Sequence, residues 1–454
     1  MLSRLRFTNF KSWPEADLTC GRVTGFFGTN SSGKTSLIQF LLLLKQTKDA
    51  TDRTLSLDLN GALVQFGTIK DVIYRHDQGR TIEVGVTFEL DEDLALSDPS
   101  RPSSIIASGT RMSVNSTIVV EKNAPLARRL AYALGGLEFG LVSRSGAPNQ
   151  FQLKATPMIS SSTDFAFIRN LGRAWPLPGP IKSYAFPDQA RTYHQNAGFL
   201  SDLEAAYEAA LDAVFYLGPL REFPKRDYLW ARSRPSDVGQ RGERAIDAIL
   251  AATEAGEKRN LRPRARLLPF QQMIASLLRD MGMVESFTVE EIALGSNRWQ
   301  ARVRTRPDAS EVLLTDVGFG VSQVLPVVTL FQYVPEGATV ILEQPEIHLH
   351  PLAQAGLADV IIQAATHRRV QVILESHSEH LSLRLQRRIA EQMISSDDVK
   401  LYFCDSPGGF STLTPLEVDL LGRILNWPDK FMGDAFTETA QAERARLERM
   451  NAAE

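Results

Sequence analysis

The sequence predicts an α/β fold in which a mostly parallel sheet lies between helices, with a β-rich layer beside it. Two apolar runs, residues 338–342 and 370–374, are each flanked by segments with helical spacing, which is typical of a parallel sheet covered on both faces. Residues 82–88 alternate between apolar and polar side chains, as a half-buried strand does. The β-rich layer is predicted by short strand candidates separated by turn residues, at 116–121, 137–144 and 150–154.

Length and composition limit the class of protein. A chain of 454 residues is too long for one compact core and suits two or three domains. The net charge of -3 argues against a surface coated with basic residues, although a local basic groove remains compatible with it. Cys20 and Cys404 are the only cysteines, which fits a reducing cytoplasm. The longest apolar stretch, residues 37–44, is far below the ~20 residues that a membrane span needs, and the N-terminus lacks the apolar core of a signal peptide. We therefore expect a cytoplasmic protein without a membrane partner.

The most specific motif is GTNSSGKT at residues 28–35, which follows an apolar run at 23–27 and precedes a helical run at 34–48. In such a loop the glycines let successive backbone N–H groups point at phosphate oxygens, Lys34 adds a positive charge between the terminal phosphates, and the Thr35 hydroxyl is a magnesium ligand. The sequence therefore predicts binding of a nucleoside triphosphate. The predicted contacts in this loop are Gly28, Thr29, Asn30, Ser31, Ser32, Gly33, Lys34, Thr35 and Ser36.

An acid at the end of a buried strand supplies the second half of such a site. The apolar run 338–342 leads into EQPEIHLHP at residues 343–351. A magnesium ion held by the phosphate loop needs a carboxylate partner on a neighbouring strand. Glu343 occupies that position, and we predict that it is the magnesium-side acid.

Histidines near this acid leave a second enzyme class open. His348, His350, His377 and His380 lie close in sequence to Glu343, and both HLH and HSEH have spacings that could ligate a metal. A zinc- or manganese-dependent phosphoesterase is therefore the competing interpretation. The absence of a separate acid-rich cluster, and the fit of His350-Pro351 to a helix start, argue against it.

The motifs together resemble a known family. NFKSW, GTNSSGKT, VGFGVSQVLP at 317–326, EQPEIHLHP and ILESHSEHL at 373–381 occur in the order seen in ABC-class ATPases outside transporters. That group includes RecF, SMC and OLD (overcoming lysogenization defect) relatives, and the chain looks most similar to the stand-alone, OLD-like bacterial ATPases. The resemblance covers residues 1–88 and 216–427, including YLGPLREFP and NWPDKF. It implies an ABC-ATPase-type head that uses ATP and Mg²⁺.

The resemblance also implies a composite site in a homodimer. Two ATP-bound heads would face each other, so that the phosphate loop of one and the glycine-rich signature of the other hold each nucleotide. Small residues permit close backbone approach, and hydroxyl or amide donors add hydrogen bonds to an anion. The signature contacts would be Gly318, Gly320, Ser322 and Gln323, and His377 would be the switch histidine that senses the γ-phosphate.

One position departs from the family pattern. Many members have two successive acids at the strand end, the second of which orients the attacking water, whereas this chain has Gln344 there. An amide can position water but cannot accept its proton. Either Glu346 acts as the base, or hydrolysis is slow and the ATP-bound dimer is long-lived; we favour slow hydrolysis. The predicted catalytic residues are Lys34, Gln344, Glu346 and His377.

The spacing of the motifs predicts an inserted accessory lobe. About 300 residues separate Lys34 from Glu343, far more than ordinary connections use and more than the core of a transporter ATPase uses. The predicted divisions are an N-terminal head part at 1–95, a β-rich and helical insertion at 96–215, a basic, mostly helical segment at 216–285, a C-terminal head part at 286–405 and an extension at 406–454.

The basic segment suggests one possible target. Arginines with interleaved aromatic residues suit phosphates and exposed bases, so one hypothesis is an ATP-gated dimer that clamps DNA. The alternative is that these charges pair with nearby acids on a solvated helical face. The basic residues between positions 221 and 266 are Arg221, Lys225, Arg226, Arg232, Arg234, Arg241, Arg244, Lys258, Arg259, Arg262, Arg264 and Arg266.

A second hypothesis is a regulatory scaffold whose ATP state holds or releases an effector protein. OLD relatives that are nucleases carry a large acidic-site domain at the C-terminus, and too few residues follow His380 here for such a domain. Any DNA cleavage would then have to come from another polypeptide. The resemblance suggests a role in antiviral defence alongside such an effector, a nuclease or toxin.

Overall fold

The fold is described from a computed structural model that covers residues 1–99, 101–144, 147–158, 165–172, 175–262, 264–428, 441–446 and 449–450. In chain order the strands are β1 Leu2–Phe10, β2 Trp13–Thr19, β3 Val23–Gly28, β4 Ile82–Asp98, β5 Arg101–Glu121, β6 Ala124–Leu134, β7 Leu137–Arg144, β8 Ala147–Pro157, β9 Val214–Leu217, β10 Tyr228–Leu229, β11 Lys258–Arg259, β12 Leu268–Pro269, β13 Ser286–Glu291, β14 Arg298–Arg304, β15 Val312–Leu313, β16 Thr339–Glu343, β17 Gln371–Glu375, β18 Val399–Asp405 and β19 Thr412–Leu416.

Helices connect and cover these strands. The α-helices are α1 Lys34–Asp49, α2 Ile69–Val72, α3 Asp188–Tyr193, α4 Leu200–Asp212, α5 Ala245–Glu254, α6 Phe270–Asp280, α7 Phe319–Tyr333, α8 Pro351–His367 and α9 Glu379–Ala390. Short 3-10 helices lie at Tyr74–His76, Leu314–Asp316, Ser396–Asp398 and Pro407–Gly409. Across the described ranges, no helix is both long enough and apolar enough to cross a bilayer.

The central sheet has six strands in the order β19-β18-β3-β17-β16-β9. All neighbours are parallel except the edge pair of β18 and β19. Strand β17 therefore lies between the strand that leads into the phosphate loop and the strand that ends in Glu343, which pairs with Glu375 in register. Because parallel strands end at the same edge, the residues that follow β3, β16, β17 and β9 converge there.

Both faces of the central sheet are buried, as the uninterrupted apolar runs predicted. Val340 and Leu342 pack into a core with helices α5 to α9. Ile341, between them, points to the opposite face and packs with α1, α4 and the strands of a second sheet. Side chains alternate across a strand, so each fully buried apolar side chain contributes about 1.5–3 kcal/mol to one core or the other. The predicted mostly parallel sheet between helices is confirmed.

The β-rich layer is an antiparallel sheet of seven strands in the order β2-β1-β4-β5-β6-β7-β8. A buried amide ties it to the central sheet: the Gln371 side chain donates from Nε2 to the carbonyls of Leu2 and Gly21, at 2.7 and 2.9 Å, and its Oε1 accepts from the Leu2 N–H at 2.9 Å. With donors and acceptor all used, this amide is buried without an unsatisfied polar atom. It holds the N-terminal strand against the start of β17.

The sheet topology changes two of the predicted domain boundaries. The division at residue 95 falls inside β4, and the one at 215 falls inside β9. The N-terminal strands β1, β2 and β4 form a single sheet with β5 to β8, because the edge of β4 pairs along its length with β5. A boundary based on composition misses backbone pairing of this kind, which joins residues far apart in sequence.

The segment 216–285 is not mostly helical, in contrast to the prediction. Its helices are α5 and α6, and the rest is short strands and irregular chain. Pro224 and Pro235 lack the backbone donor that a helix needs, and Gly239 and Gly242 take positive φ angles of 81° and 75°. Strand β10 of this segment pairs with β14 in a small sheet that also contains β13 and β15, and this sheet packs with α6. The last three residues of NWPDKF, and most of the predicted extension beyond them, lie outside the described residues.

Candidate nucleotide-binding site

The phosphate loop has the backbone geometry that the sequence predicts. Strand β3 ends at Gly28 (φ 138°), and Gly33 (φ 93°) immediately precedes the first residue of α1. A Cβ on Gly28 would lie 2.0 Å from the Cys404 carbonyl oxygen, and one on Gly33 would lie 2.4 Å from Ser411 Oγ. Both positions therefore require glycine for conformation and for space. Trp13, buried in the neighbouring strand β2, donates from Nε1 to the Gly33 carbonyl at 3.1 Å.

Lys34 lies inside this loop. Its ammonium donates to the carbonyl oxygens of Gly28 at 3.1 Å and Thr29 at 2.7 Å, and only 3% of its surface is exposed. Burial lowers the pKa of Lys34, while the charge of Glu375 opposes that change. The tip residues Thr29, Asn30 and Ser31 are exposed, whereas the Ser32 hydroxyl is buried without a hydrogen-bond partner. Such an orphaned donor beside a held ammonium fits a phosphate ligand.

The magnesium side of the site contains an acid that the sequence reasoning missed. Thr35 Oγ1 donates to Glu375 Oε2 at 2.8 Å, so the last residue of β17, rather than Glu343, contacts the predicted magnesium-ligating hydroxyl. Glu343 lies one strand away and accepts from the Tyr216 hydroxyl at 2.8 Å. Applying the strand-end rule to the run 370–374, as it was applied to 338–342, would have identified Glu375.

Three buried carboxylates meet at this edge of the sheet: Glu343, Glu346 and Glu375. Burial raises the pKa of all three. For Glu375, hydrogen bonds from the side chains of Thr35 and Gln344, together with the charge of Lys34, favour the ionised form. Carboxylate and hydroxyl oxygens are the ligands that Mg²⁺ prefers, so Thr35, Glu343 and Glu375 fit a magnesium site.

The residues after β16 connect two strand ends. Gln344 has a positive φ of 44°, and its backbone N–H donates to the Glu375 carbonyl at 2.9 Å. Glu346 Oε1 accepts from the backbone N–H of His377 at 2.7 Å, while its Oε2 is buried without a partner. Glu346 therefore holds the turn that carries His377, and Gln344 lies against Glu375. His377 itself is exposed; burial of part of the ring, followed by the charge of Lys34, lowers its pKa.

The other histidines do not assemble into a metal centre. His350 caps helix α8, its Nδ1 accepting from the Leu352 N–H at 3.4 Å, and the His348 ring lies 5.1 Å from the ring of Phe319. His380 is exposed on α9. In the part of the chain that the structure describes, no three His, Cys, Asp or Glu side chains are grouped to hold a metal ion. The geometry does not support the phosphoesterase interpretation.

The signature segment leads into helix α7, and the start of this helix is exposed to solvent. Gly318 is exposed, and a Cβ placed on it would meet nothing within 4 Å; a Cβ on Gly320 would lie 3.2 Å from the His348 carbonyl oxygen. Ser322 and Gln323 differ from the prediction because their side chains are buried, 6% and 4% exposed, and Ser322 Oγ donates to the Phe319 carbonyl at 2.8 Å. The helical period turns both inward, so the exposed part of the signature is the backbone around Gly318.

The ionisation of Glu343 should make magnesium binding depend on pH. Burial raises its pKa to about 7; the Tyr216 hydroxyl and Arg221 lower it, and the charge of Glu375 raises it. A metal ion requires the ionised carboxylate, so the affinity for Mg²⁺ with an ATP analogue should rise roughly tenfold from about pH 6 to about pH 8. Titration calorimetry at several pH values measures this, with Glu343→Gln as the variant in which the pH dependence is reduced. Equal affinities across the range would contradict the assignment.

The same ionisation predicts the sign of a stability change. A carboxyl whose pKa rises from 4.5 to about 7 on folding binds its proton more tightly in the folded state. Through this group the free energy of unfolding of the nucleotide-free protein therefore falls as the pH rises between those two values. Glu343→Gln removes that contribution.

Two family models match parts of the chain. Residues 180–384 match the family model described as "AAA domain, putative AbiEii toxin, Type IV TA system". Residues 394–441 match a model described as "Protein of unknown function (DUF3696)". The first match includes the signature, Glu343 and His377 but not the phosphate loop. No curated protein matches the chain.

Solved structures similar to the chain include several SMC heads. The SMC head domain from Thermotoga maritima is 11% identical with a TM-score of 0.41, over 92% of this chain and 99% of that one. An SMC head bound to the C-terminal winged-helix domain of ScpA is 11% identical with a TM-score of 0.44, over 92% and 98%. An SMC head with an extended coiled coil, bound to the C-terminal domain of ScpA derived from Pyrococcus furiosus, is 10% identical with a TM-score of 0.42, over 92% and 96%. Similarity at this level adds nothing about function beyond the sheet order and the motif geometry.

Proposed function

We propose that this chain, an ABC-class P-loop ATPase by its motifs and its AAA-domain match, is an ATP-dependent dimeric switch of the RecF- and SMC-like group. One observation carries the proposal: the phosphate loop is built within one protomer, while the backbone of the signature at Gly318 is exposed and none of the described residues covers it. A surface of this kind suits contact with a nucleotide held by a second copy.

The chain's own residues account for nucleotide binding. The backbone N–H groups of residues 28–36 would surround the phosphates at the N-terminus of α1, where the helix dipole favours an anion. Lys34 would exchange its loop carbonyls for phosphate oxygens, and the Ser32 hydroxyl would gain a partner. Thr35, Glu343 and Glu375 would hold Mg²⁺, which supplies charge neutralisation at the β- and γ-phosphates.

Hydrolysis is expected to be slow. Gln344 cannot accept a proton, and one oxygen of Glu346 is already used to hold the His377 backbone. The ATP-bound dimer would therefore be long-lived, which suits a switch better than a motor.

The signature helix would complete the partner's site. Helix α7 begins at Phe319 with no capping side chain and no acid in its first turn, so its first N–H groups and its positive dipole end are available to an anion. The exposed His377 near Lys34 would then contact the same γ-phosphate from the side of its own phosphate loop. We propose that Gly318 and Gly320 act through their backbone, and that Ser322 and Gln323 support the helix from inside.

Gly318→Glu tests the dimer without disturbing the protomer. The φ and ψ of Gly318, -55° and 143°, suit any residue, and open space surrounds the position, so thermal stability should change little. A carboxylate there would repel the partner's γ-phosphate. We expect loss of the MgATP-dependent dimer in light scattering and at least about tenfold slower turnover. Gly318→Ala is the matched control and should behave like the parent. A Gly318→Glu protein that still dimerises with ATP would exclude this interface.

The target of the switch is proposed to be an effector protein rather than DNA. Within the basic segment several cations are already paired, which weakens the case for a free DNA groove. These pairs join Lys225 with Glu222, Arg226 with Asp316, Arg232 with Glu254, Arg234 with Glu257 and Arg259 with Glu257. We propose that this effector is a toxin or nuclease that acts with the chain in the cytoplasm, in antiviral defence.

Pull-down from the native host identifies the target. With a non-hydrolysable ATP analogue, an effector should be recovered that is absent with ADP or with a Lys34→Ala bait. For the alternative, DNA binding that appears only with ATP and weakens steeply with salt would favour a clamp on nucleic acid.

A further inference from the structure

Arg221 belongs to the nucleotide site rather than to the basic surface. It follows strand β9 by four residues, in the loop that leads away from the catalytic edge of the central sheet. Backbone hydrogen bonds fix this loop: Gly218 N–H to the Gln240 carbonyl and Glu222 N–H to the Arg241 carbonyl, both at 2.8 Å. Although its neighbour Leu220 is 75% exposed, Arg221 is only 6% exposed. Its side chain therefore points inward, away from any DNA groove.

Two nitrogens of the guanidinium are buried without a hydrogen-bond partner among the described residues. Both Nε and Nη1 lack an acceptor. The ionisable side chains near it are those of Tyr216, Glu343 and Glu346, and none of the described hydrogen bonds joins Arg221 to any of them. Burying a cation whose N–H groups are unsatisfied is costly, so this position is unfavourable in the nucleotide-free protein. A ligand with oxygens in the right place would relieve that cost.

Arg368, another buried arginine, shows what a structural role looks like. It is 9% exposed, and its Nη1 and Nη2 donate to the carbonyls of Phe331 at 2.7 Å and Val334 at 2.8 Å. Those bonds satisfy the end of helix α7. Arg221 has no comparable backbone partner, so a purely structural explanation does not account for its burial.

The order of charges along the strand ends indicates the kind of ligand. Glu375, at the end of β17, contacts Thr35 of the phosphate loop. Glu343 lies beside it at the end of the neighbouring strand β16. Arg221 lies in the loop after β9, the next strand, and its charge lowers the pKa of Glu343. Lys34 and Arg221 are thus cations on opposite sides of the two acids, Glu375 and Glu343. The same loop carries Phe223, whose ring lies 5.4 Å from that of Phe319 in the signature helix. The end of a triphosphate bound by the phosphate loop would lie along this edge of the same protomer, between Lys34 and Arg221.

We propose that Arg221 is a phosphate-binding residue whose Nε–H and Nη1–H donate to γ-phosphate oxygens of ATP bound in the same protomer. It would thereby distinguish the triphosphate from the diphosphate. A guanidinium suits this role because its fork of donors matches two oxygens of one phosphate. The inference rests on the proposed ATP binding and adds to it the residue that recognises the terminal phosphate.

Arg221→Met tests this, since methionine keeps part of the side-chain length and removes the unsatisfied donors. Calorimetry with Mg²⁺ should show binding of a non-hydrolysable ATP analogue weakened roughly 10- to 100-fold, with ADP affinity unchanged within about twofold. The melting temperature without nucleotide should be equal to or above that of the parent, because an unpaired buried charge is gone. Arg221→Lys, which keeps charge but not the fork, should be intermediate. Arg368→Met is the structural control and should lower the melting temperature.

The other possible results would contradict either the role of Arg221 or the proposed function. Equal weakening of ATP analogue and ADP, or destabilisation like that of Arg368→Met, would make Arg221 a structural residue and overturn the inference. Unchanged affinity for the ATP analogue would overturn it as well, while leaving the proposed function intact. A parent protein that binds neither nucleotide would overturn the proposed function itself.

Discussion

Replacing Lys34 with alanine should abolish measurable ATP turnover and weaken MgATP binding by about 100-fold or more. In the structure the ammonium is held by two loop carbonyls, so the alanine variant loses both the charge that faces the phosphates and a tie across the loop. Calorimetry with an ATP analogue and a phosphate-release assay measure the two effects.

Lys45→Ala is the matched control, because Lys45 lies on the same helix and its ammonium donates to the Leu211 carbonyl at 2.9 Å, away from the loop. It should retain nucleotide binding. Melting temperatures of both variants separate loss of binding from loss of fold. A Lys34→Ala protein that binds and hydrolyses ATP like the parent would place the nucleotide elsewhere.

Gln344→Glu should accelerate ATP hydrolysis by about 100-fold, the usual contribution of a positioned general base. The variant introduces a carboxylate at the position where many relatives of this class have their water-orienting acid. It also places that carboxylate beside Glu375, which the Gln344 amide now stabilises in its ionised form. We therefore expect the variant to have a lower melting temperature than the parent without Mg²⁺, and to gain thermal stability when Mg²⁺ is added. Single-turnover measurements on parent and variant give the rates.

Glu346→Ala identifies the base in the parent. If hydrolysis is slow because no base is present, this variant lowers the rate mainly by loosening the turn around His377, and MgATP affinity falls with it. If the parent instead hydrolyses ATP rapidly, and Glu346→Ala abolishes hydrolysis without changing MgATP affinity, then Glu346 is the base. The prediction of a long-lived ATP-bound dimer would then be wrong.

Much of the site was predictable because local spacing encodes it. The backbone conformation requires glycine at positions 28 and 33. The charges of Lys34 and Glu343 suit a phosphate and a magnesium ion, and both residues lie at predictable positions, after the loop and at the end of β16. The same rule identifies Glu375, because this residue follows the apolar run 370–374 just as Glu343 follows the run 338–342. Arg221 was not predictable: in sequence it is one of twelve basic residues between positions 221 and 266, and its burial distinguishes it from the exposed ones.

Ser322 and Gln323 illustrate the limit of motif transfer. Their side chains were assigned to a partner's phosphate by position in a motif, but the helical period of α7 buries both. A motif specifies the order of residues, whereas the face of the helix that remains exposed depends on what packs against it. The backbone around Gly318 is left as the exposed part of the signature.

The sequence by itself determined the phosphate loop, the strand and helix around it, the parallel sheet with two covered faces and the acid at residue 343, because these depend on side-chain periodicity and on conformations of single residues. The tertiary structure decided that Glu375 contacts Thr35, that Arg221 lies beside Glu343 and Glu346, and that the N-terminal strands share a sheet with β5 to β8. These contacts join residues far apart along the chain. They arise from strand order and register, which backbone hydrogen bonding establishes only when the whole sheet forms.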